Sequence, residues 1–414
     1  MTQAHLGRRS KTLGMLAVFG PGIVVMLADT DVGSIITAGQ SGVQWGYRLL
    51  LLQFVLMPIL YLVQELTVRL GIHTGRGHGE LIRETFGKLW AYVSVAGLAI
   101  AVIGALLTEF SGIAGVGEIY GVPRWISVSL AAGSLLLIVL TGSYRRVERV
   151  AIVLGLFEFA FFGIVWAAHP NVARMLAQSV HIPLANKDYL YLVAANIGAV
   201  IMPWMIFYQQ SAIADKRLRP EHLTAARWDT AIGSVITQLV MAAVLVAVAA
   251  TIGRSASNAS LNTVGDISGA ITPFLGTTMG HMVFGLGIIG AGMVAAIVAS
   301  LALAWGVGEV FGYRHSLEYK PLEAGWFYGV YAACVVAGAA LVAVWPNLIA
   351  LNVGVQVMNA LLLPLVLGFL IALAIFALPE ATRLRGWYLK VVIVVSVLTT
   401  ALGVFGGLQG LGWF

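Results

Sequence analysis

The sequence predicts an all-α polytopic membrane protein made of two inverted five-helix repeats followed by an eleventh helix. Three observations lead there. Hydrophobic residues make up 59% of the chain and charged residues only 10%, far from the balance of a water-soluble domain. Apolar stretches of about 20 residues, enough to cross ~30 Å of hydrocarbon, recur from end to end. The first and the sixth stretch, which would be corresponding helices of the two halves, each carry a signal for interruption.

In chain order the spans fall at 14–39, 47–70, 90–116, 125–142, 147–168, 188–212, 230–253, 280–311, 325–345, 348–378 and 387–409. Ahead of them MTQAHLGRRSKTLG is basic and then apolar, as a secretory leader would be, yet no small-residue cleavage site with a polar start follows. Residues 1–13 are therefore expected to be a cytoplasmic tail, 14–168 the first repeat, 169–187 an external linker, 188–378 the second repeat, and 379–414 the eleventh helix with an external C-terminus.

Charge placement sets this orientation. With the N-terminus inside, the inner loops hold Arg8, Arg9, Lys11, Arg69, Arg76, Arg83, Lys88, Arg145, Arg146, Arg149, Lys216, Arg217, Arg219, Arg227, Arg314, Lys320, Arg383, Arg385 and Lys390. Of the 24 basic residues only Arg48, Arg124, Arg174, Lys187 and Arg254 fall outside, as the positive-inside rule requires. The net charge of +6 is thus topological, and nucleic acid drops out as a partner. A single cysteine, Cys334, excludes a disulfide framework or a Cys-rich metal site.

Helix 1 carries ADTDVGS, with Asp29 and Asp31 inside apolar sequence. A carboxylate at the bilayer centre costs several kcal/mol unless paired, hydrated or ligated, so it is a functional candidate by default. Asp31, followed by Val32, Gly33 and Ser34, lies where the helix is expected to unwind, and a carboxylate among freed carbonyls and hydroxyls is an oxygen-rich cation site. Helix 6 carries NIGAVIMPWM, where Pro203 removes a backbone donor and Gly198 is expected to loosen the turn before it. A break there would direct the Ala199 carbonyl and the Met202 thioether to one point. Thioether sulfur suits later transition metals and does little for Mg²⁺ or Ca²⁺.

Other polar groups inside spans have bland alternatives. Glu109 in helix 3 is a candidate proton carrier or an interhelical hydrogen-bonding group, and Glu158 in helix 5 is a weaker candidate of the same kind. Gln356 and Asn359 in helix 10 could offer amide oxygens to an ion or simply bind helices together. Glu65 is expected to partner Arg69 at the membrane interface. An intramembrane protease also uses two aspartates, but from separate elements that share one proton. Asp29 and Asp31 sit on one stretch of backbone, so an enzyme is not expected. A channel or a non-transporting receptor stays open as an alternative, and rapid single-channel flux at low temperature would favour it over a carrier.

From about residue 14 to about 380 the chain resembles the Nramp family of divalent metal transporters. The most specific match is the loop TGRGHGELIRETFG, with Thr74, Gly75, Arg76, Glu80, Arg83, Glu84 and Gly87 in register with the family's loop after helix 2. Anchored there and on Gly46-Tyr47, the family's Asp-Pro-Gly-Asn falls on Asp31, Val32, Gly33 and Ser34. Its Met-Pro-His falls on Met202, Pro203 and Trp204, with Ala199, Ser211 and Ala212 also matching. The helix 10 pattern is met by Gln356 and Leu363-Pro364.

The resemblance implies a LeuT-like fold with helices 1 and 6 broken at the midplane. It also implies a transported metal held by Asp31, Ser34, the Ala199 carbonyl, Met202 and, in some states, Gln356, with no resident cofactor. Protons are the family's coupling partner, and there the sequence departs. Leu106 stands where an acidic residue is expected beside Glu109, and Trp204 replaces the one side chain that readily changes charge near neutral pH. Weak or altered proton coupling is the expectation. Asp29 is an added hard oxygen and Ser34 is smaller than Asn, changes that leave room for the water Mg²⁺ gives up reluctantly. Retained Met202 points the other way, so Mn²⁺ and Fe²⁺ are favoured over the alternative, Mg²⁺ without proton coupling. The expected setting is a monomer in the lipid bilayer of a bacterial inner membrane.

Overall fold

The computed structural model describes residues 20–252, 264–271, 275–345 and 349–413. The tail at 1–13, the start of the first span, Arg254 and the start of the tenth span lie outside these residues. Described residues form helices α1 (Pro21–Asp29), α2 (Val32–Trp45), α3 (Leu50–Thr74), α4 (His78–Phe86), α5 (Lys88–Ile119), α6 (Arg124–Leu140), α7 (Tyr144–Gly155), α8 (Ala160–Ala168) and α9 (Val172–Ser179). There follow α10 (Lys187–Val200), α11 (Pro203–Asp215), α12 (Leu223–Ile252), α13 (Val264–Ile271), α14 (Thr277–Phe311), α15 (Gly325–Val344), α16 (Ile349–Phe376) and α17 (Gly386–Gly410).

Counting α7 with α8 and α10 with α11 as single spans, 9 segments among the described residues are long and apolar enough to cross a membrane. The pair α1 and α2, bent by 46°, makes a tenth. The shorter apolar helix α6, at about 1.5 Å per residue, occupies the remaining predicted position. The chain is an integral membrane protein. Burial separates centre from rim: the most apolar window of α10 and α11 is 94% buried, that of α17 only 33%. Helix 6 therefore threads the core, while the eleventh helix presents most of its surface to lipid.

The first span runs on to Trp45 rather than ending near 39, and the linker at 169–187 contains α9. A second correction concerns the break in helix 1. Residues 32–34, expected to be unwound, form the first turn of α2, and the non-helical residues are Thr30 and Asp31. Asp31 is the N-cap, in extended conformation, and its Oδ1 accepts the Ser34 N–H at 2.6 Å. Without a proline at Val32, a capping carboxylate starts the second half-helix. The helix 6 break follows the other rule. Pro203 stands at the first position of α11, where its missing N–H costs nothing, and it holds Met202 extended.

The TGRGHGELIRETFG loop docks the start of α4 against α11 and α14. Glu309 accepts the Ser211 hydroxyl at 2.5 Å and the Gly79 N–H at 2.8 Å. Gln210 donates to the Arg76 carbonyl at 3.1 Å, which orients its amide so that its oxygen accepts from His78 Nδ1 at 2.9 Å. Glu65 pairs with Arg69 as expected, and it also takes Arg227 and the Tyr388 hydroxyl, all packed within the protein.

His78 is 1% exposed and packs edge-on against Phe207. Burial lowers its pKa from 6.5 to about 4, partly offset by the bond to Gln210. A folded value below the unfolded one means that the unfolded chain takes up the proton first as pH falls. The stability is present above about 6.5 and drains away toward 4, by about 3 kcal/mol at 1.36 kcal/mol per unit. The drop in thermal midpoint between about pH 7 and about pH 5 should therefore shrink in His78→Gln. An equal drop in both proteins would contradict this role.

Candidate functional site

Four helical elements meet at the two breaks. Asp31 caps α2, Ser34 lies in its first turn, Ala199 lies in the last turn of α10, Met202 precedes α11, and Gln356 comes from α16. Asp31, Met202 and Gln356 are 0% exposed, Ser34 and Ala199 1%, so the centre is sealed from solvent. The Ser34 hydroxyl donates to the Ala199 carbonyl at 2.9 Å, tying the two breaks directly together. Asp31 Oδ2 has no donor.

Helix α16 passes close against both breaks because glycines allow it. A Cβ at Gly198 would stand 1.8 Å from the Gln356 carbonyl, and one at Gly33 would stand 2.1 Å from Gln356 Nε2. Gly198 thus permits close approach inside a regular helix and does not loosen a turn. Gln356 accepts from Asn359 Nδ2 at 3.0 Å, while its own Nε2 is unpartnered. The sequence-predicted pair on helix 10 is present, and the Asn359 oxygen is likewise free of donors.

Glu109 turns out to be bound to the break itself. Its Oε2 accepts the Val32 N–H at 3.1 Å, and the Thr108 hydroxyl lies 2.9 Å from Oε1. A proline at 32 would have no N–H to offer. The substitution that weakens the motif therefore creates a backbone donor, and Glu109 satisfies it. The Glu109 carboxyl also lies close to that of Asp31. Leu106, one turn earlier, is buried. Trp204 is fully buried at the second residue of α11, with Nε1 lacking an acceptor.

Among the described residues no three His, Cys, Asp or Glu side chains converge on one point. An ion held here must draw on neutral donors as well: a hydroxyl, a carbonyl, an amide or a thioether. The breaks bring the Ser34 hydroxyl onto the Ala199 carbonyl and Gln356 against Gly33 and Gly198, with Met202 buried at the start of α11.

A family model, Natural resistance-associated macrophage protein-like, matches residues 22–409. The chain belongs to the Nramp family. Among curated relatives, the divalent metal cation transporter MntH of Agrobacterium fabrum (strain C58) is 27% identical over 300 residues, covering 69% of this chain and 65% of that protein. The chain thus spans about two thirds of that relative's length. Among solved structures, a manganese transporter of Eremococcus coleocola superposes with a TM-score of 0.74 at 19% identity, over 95% of this chain and 86% of that one. Mhp1, a nucleobase-cation-symport-1 family transporter, follows at 0.61 and 14% identity, over 95% and 92%. At these identities the likeness speaks to the fold, which is LeuT-like.

Sequence reading missed Asp229 of α12, whose carboxylate accepts the N–H groups of Gly20, Gly22 and Ile23 at 3.1, 2.7 and 3.3 Å. It caps α1 from a distant span, where a negative charge meets the positive end of the helix dipole. The apolar windows placed Asp229 just outside a span. Only its position beside the apolar run, on the face toward helix 1, could have pointed to it.

Replacing Glu109 by Leu should leave the buried Val32 N–H without an acceptor and cost about 1–3 kcal/mol. In a Val32→Pro background, where that N–H is absent, the same replacement should cost much less. Thermal unfolding of the four proteins of this cycle in detergent measures the coupling, and equal costs in both backgrounds would refute it.

Proposed function

We propose that this Nramp protein is a secondary transporter of divalent transition metals, Mn²⁺ and Fe²⁺, working by alternating access. Supporting this is the meeting at two helix breaks of a buried carboxylate, Asp31, whose Oδ2 receives no N–H or hydroxyl donor, with the Ser34 hydroxyl, the Ala199 carbonyl and the Gln356 amide, and with Met202 buried at the same break as Ala199. The curated relatives' names, divalent metal cation transporters, favour the same substrate class. In this reading Asp31 supplies the charge, the carbonyl, hydroxyl and amide supply neutral oxygens, and sulfur tilts the site toward softer ions. Binding requires the Ser34–Ala199 bond to yield or to share the carbonyl's second lone pair with the ion.

Proton coupling is weak or altered in this reading. Glu109 is engaged by the Val32 N–H, Leu106 offers no carboxyl, and Trp204 carries no titratable group. The N-terminus faces the cytoplasm by the distribution of basic residues, and the net direction is import. Mg²⁺ is the second reading, favoured by the hard oxygen of Asp29 beside the site.

Uptake into proteoliposomes, with internal pH recorded, tests this. Wild-type protein should take up Mn²⁺ in preference to Mg²⁺ with little acidification, Asp31→Asn should take up neither, and Met202→Ala should lower the Mn²⁺ to Mg²⁺ ratio. Undiminished uptake by Asp31→Asn, or an unchanged ratio in Met202→Ala, would overturn the assignment.

A further inference from the structure

We propose that Asp29 and Glu158, with the hydroxyls of Thr30 and Thr237, form a second cation site, for an alkali ion of the size of Na⁺, beside the divalent-metal site. The fifth span is where the geometry begins. Its helix is regular through α7, passes through one 3₁₀ turn at Leu156–Phe159, and resumes as α8. A 3₁₀ interruption inside a long helix often marks a functional position, and this one carries Glu158. Gly155 is pressed against α1, since a Cβ there would stand 2.6 Å from Leu27 Cδ1. That contact sets the 3₁₀ turn level with the end of α1, where Asp29 and Thr30 lie.

Both carboxylates are enclosed, Asp29 at 1% exposed and Glu158 at 0%; neither Asp29 oxygen has a hydrogen-bond donor, and the one donor that acts on Glu158 is the Thr30 hydroxyl. The charges of Asp29 and Asp31 act on Glu158, and no Lys, Arg or His among the described residues acts on either Asp29 or Glu158. Neutral oxygens complete the surroundings. The Thr30 and Thr237 hydroxyls are 3.2 Å apart, and Thr237 donates onward to the Met26 carbonyl.

Two buried carboxylates with a single hydroxyl donor between them need a positive charge. A proton satisfies one oxygen, whereas an alkali ion gathers several at once, and here several are gathered. A second divalent ion fits less well. Among the described residues no third acidic or His side chain converges on the group, and Asp29 lies within two residues, about 7 Å of chain, of Asp31. A divalent ion at that separation repels the transported metal twice as strongly as a monovalent one. The oxygens named here are all hard, which separates this group from the Met202 site.

Cross-linking the end of α1 to spans 5 and 7, such an ion would oppose a divalent ion at Asp31 through its charge. This antagonism rests on the proposed metal site; the alkali site itself does not. The test uses the full chain in detergent, with Mn²⁺ binding followed by calorimetry and stability by thermal midpoint. Na⁺ in place of choline should raise the midpoint of both wild-type and Asp31→Asn protein and weaken Mn²⁺ binding to wild-type about 5-fold or more. Glu158→Gln and Asp29→Asn should bind Mn²⁺ in choline yet lose both responses to Na⁺, and Glu158→Asp, keeping the charge, should retain a weakened one.

No Na⁺-induced rise in the Asp31→Asn midpoint, or an undiminished rise in Glu158→Gln, would overturn the second site. So would a response to pH in place of the response to Na⁺. Failure of wild-type protein to bind Mn²⁺ would instead count against the transport reading, and the Na⁺-induced midpoint shift would still decide this proposal.

Discussion

A helix interrupted inside a bilayer exposes N–H and C=O groups that no water can reach, and the centre of this molecule is organised by how those groups are satisfied. In the first span two carboxylates do it. Asp31 takes the Ser34 N–H and Glu109 takes the Val32 N–H. In the sixth span Pro203 removes one donor at the break. The loose end at Ala199 is met by the Ser34 hydroxyl, so each break supplies what the other lacks. A polar centre held this way is rigid enough to position ligands, yet each bond in it could be exchanged for one to a metal ion.

The surrounding helices serve that centre. Gly33 and Gly198 let α16 approach until the Gln356 side chain and backbone touch both breaks. Asp229 holds the N-terminal end of α1 by three backbone bonds, while the TGRGHGELIRETFG loop fixes α11 and α14 through Glu309 and Gln210. On the other half of the molecule, Asn196 of α10 bonds both Ser41 of α2 and Gln53 of α3 at 2.9 and 2.6 Å. The half-helices α1 and α11 are thus tied to α12 and α14, whereas α2 and α10 are tied to each other and to α3.

Much of this was legible in the sequence because its causes are local. Span positions follow from apolar length, and the break at Met202–Pro203 follows from what proline does to its own N–H and to the residue before it. The break in helix 1 was legible at Asp31, but not the resumption of the helix at Val32. Without a proline, a capping aspartate and an unwound stretch look alike in one dimension, and only the Asp31–Ser34 bond distinguishes them. Contacts across long separations left no trace. The bond from Glu109 to Val32 joins residues 77 apart in sequence, and Asp229 reaches α1 across more than 200. Gly198 was misread for the same reason, since its purpose is the carbonyl of a helix from the far end of the chain.

The assignment of the ion to the two breaks is tested most directly by anomalous diffraction from crystals grown with Mn²⁺. A peak is expected within coordinating distance of Asp31, the Ala199 carbonyl and the Met202 sulfur, with the Ser34–Ala199 bond lengthened or lost. A Mn²⁺ peak located instead at Asp29 and Glu158, or outside the membrane-spanning core altogether, would contradict it.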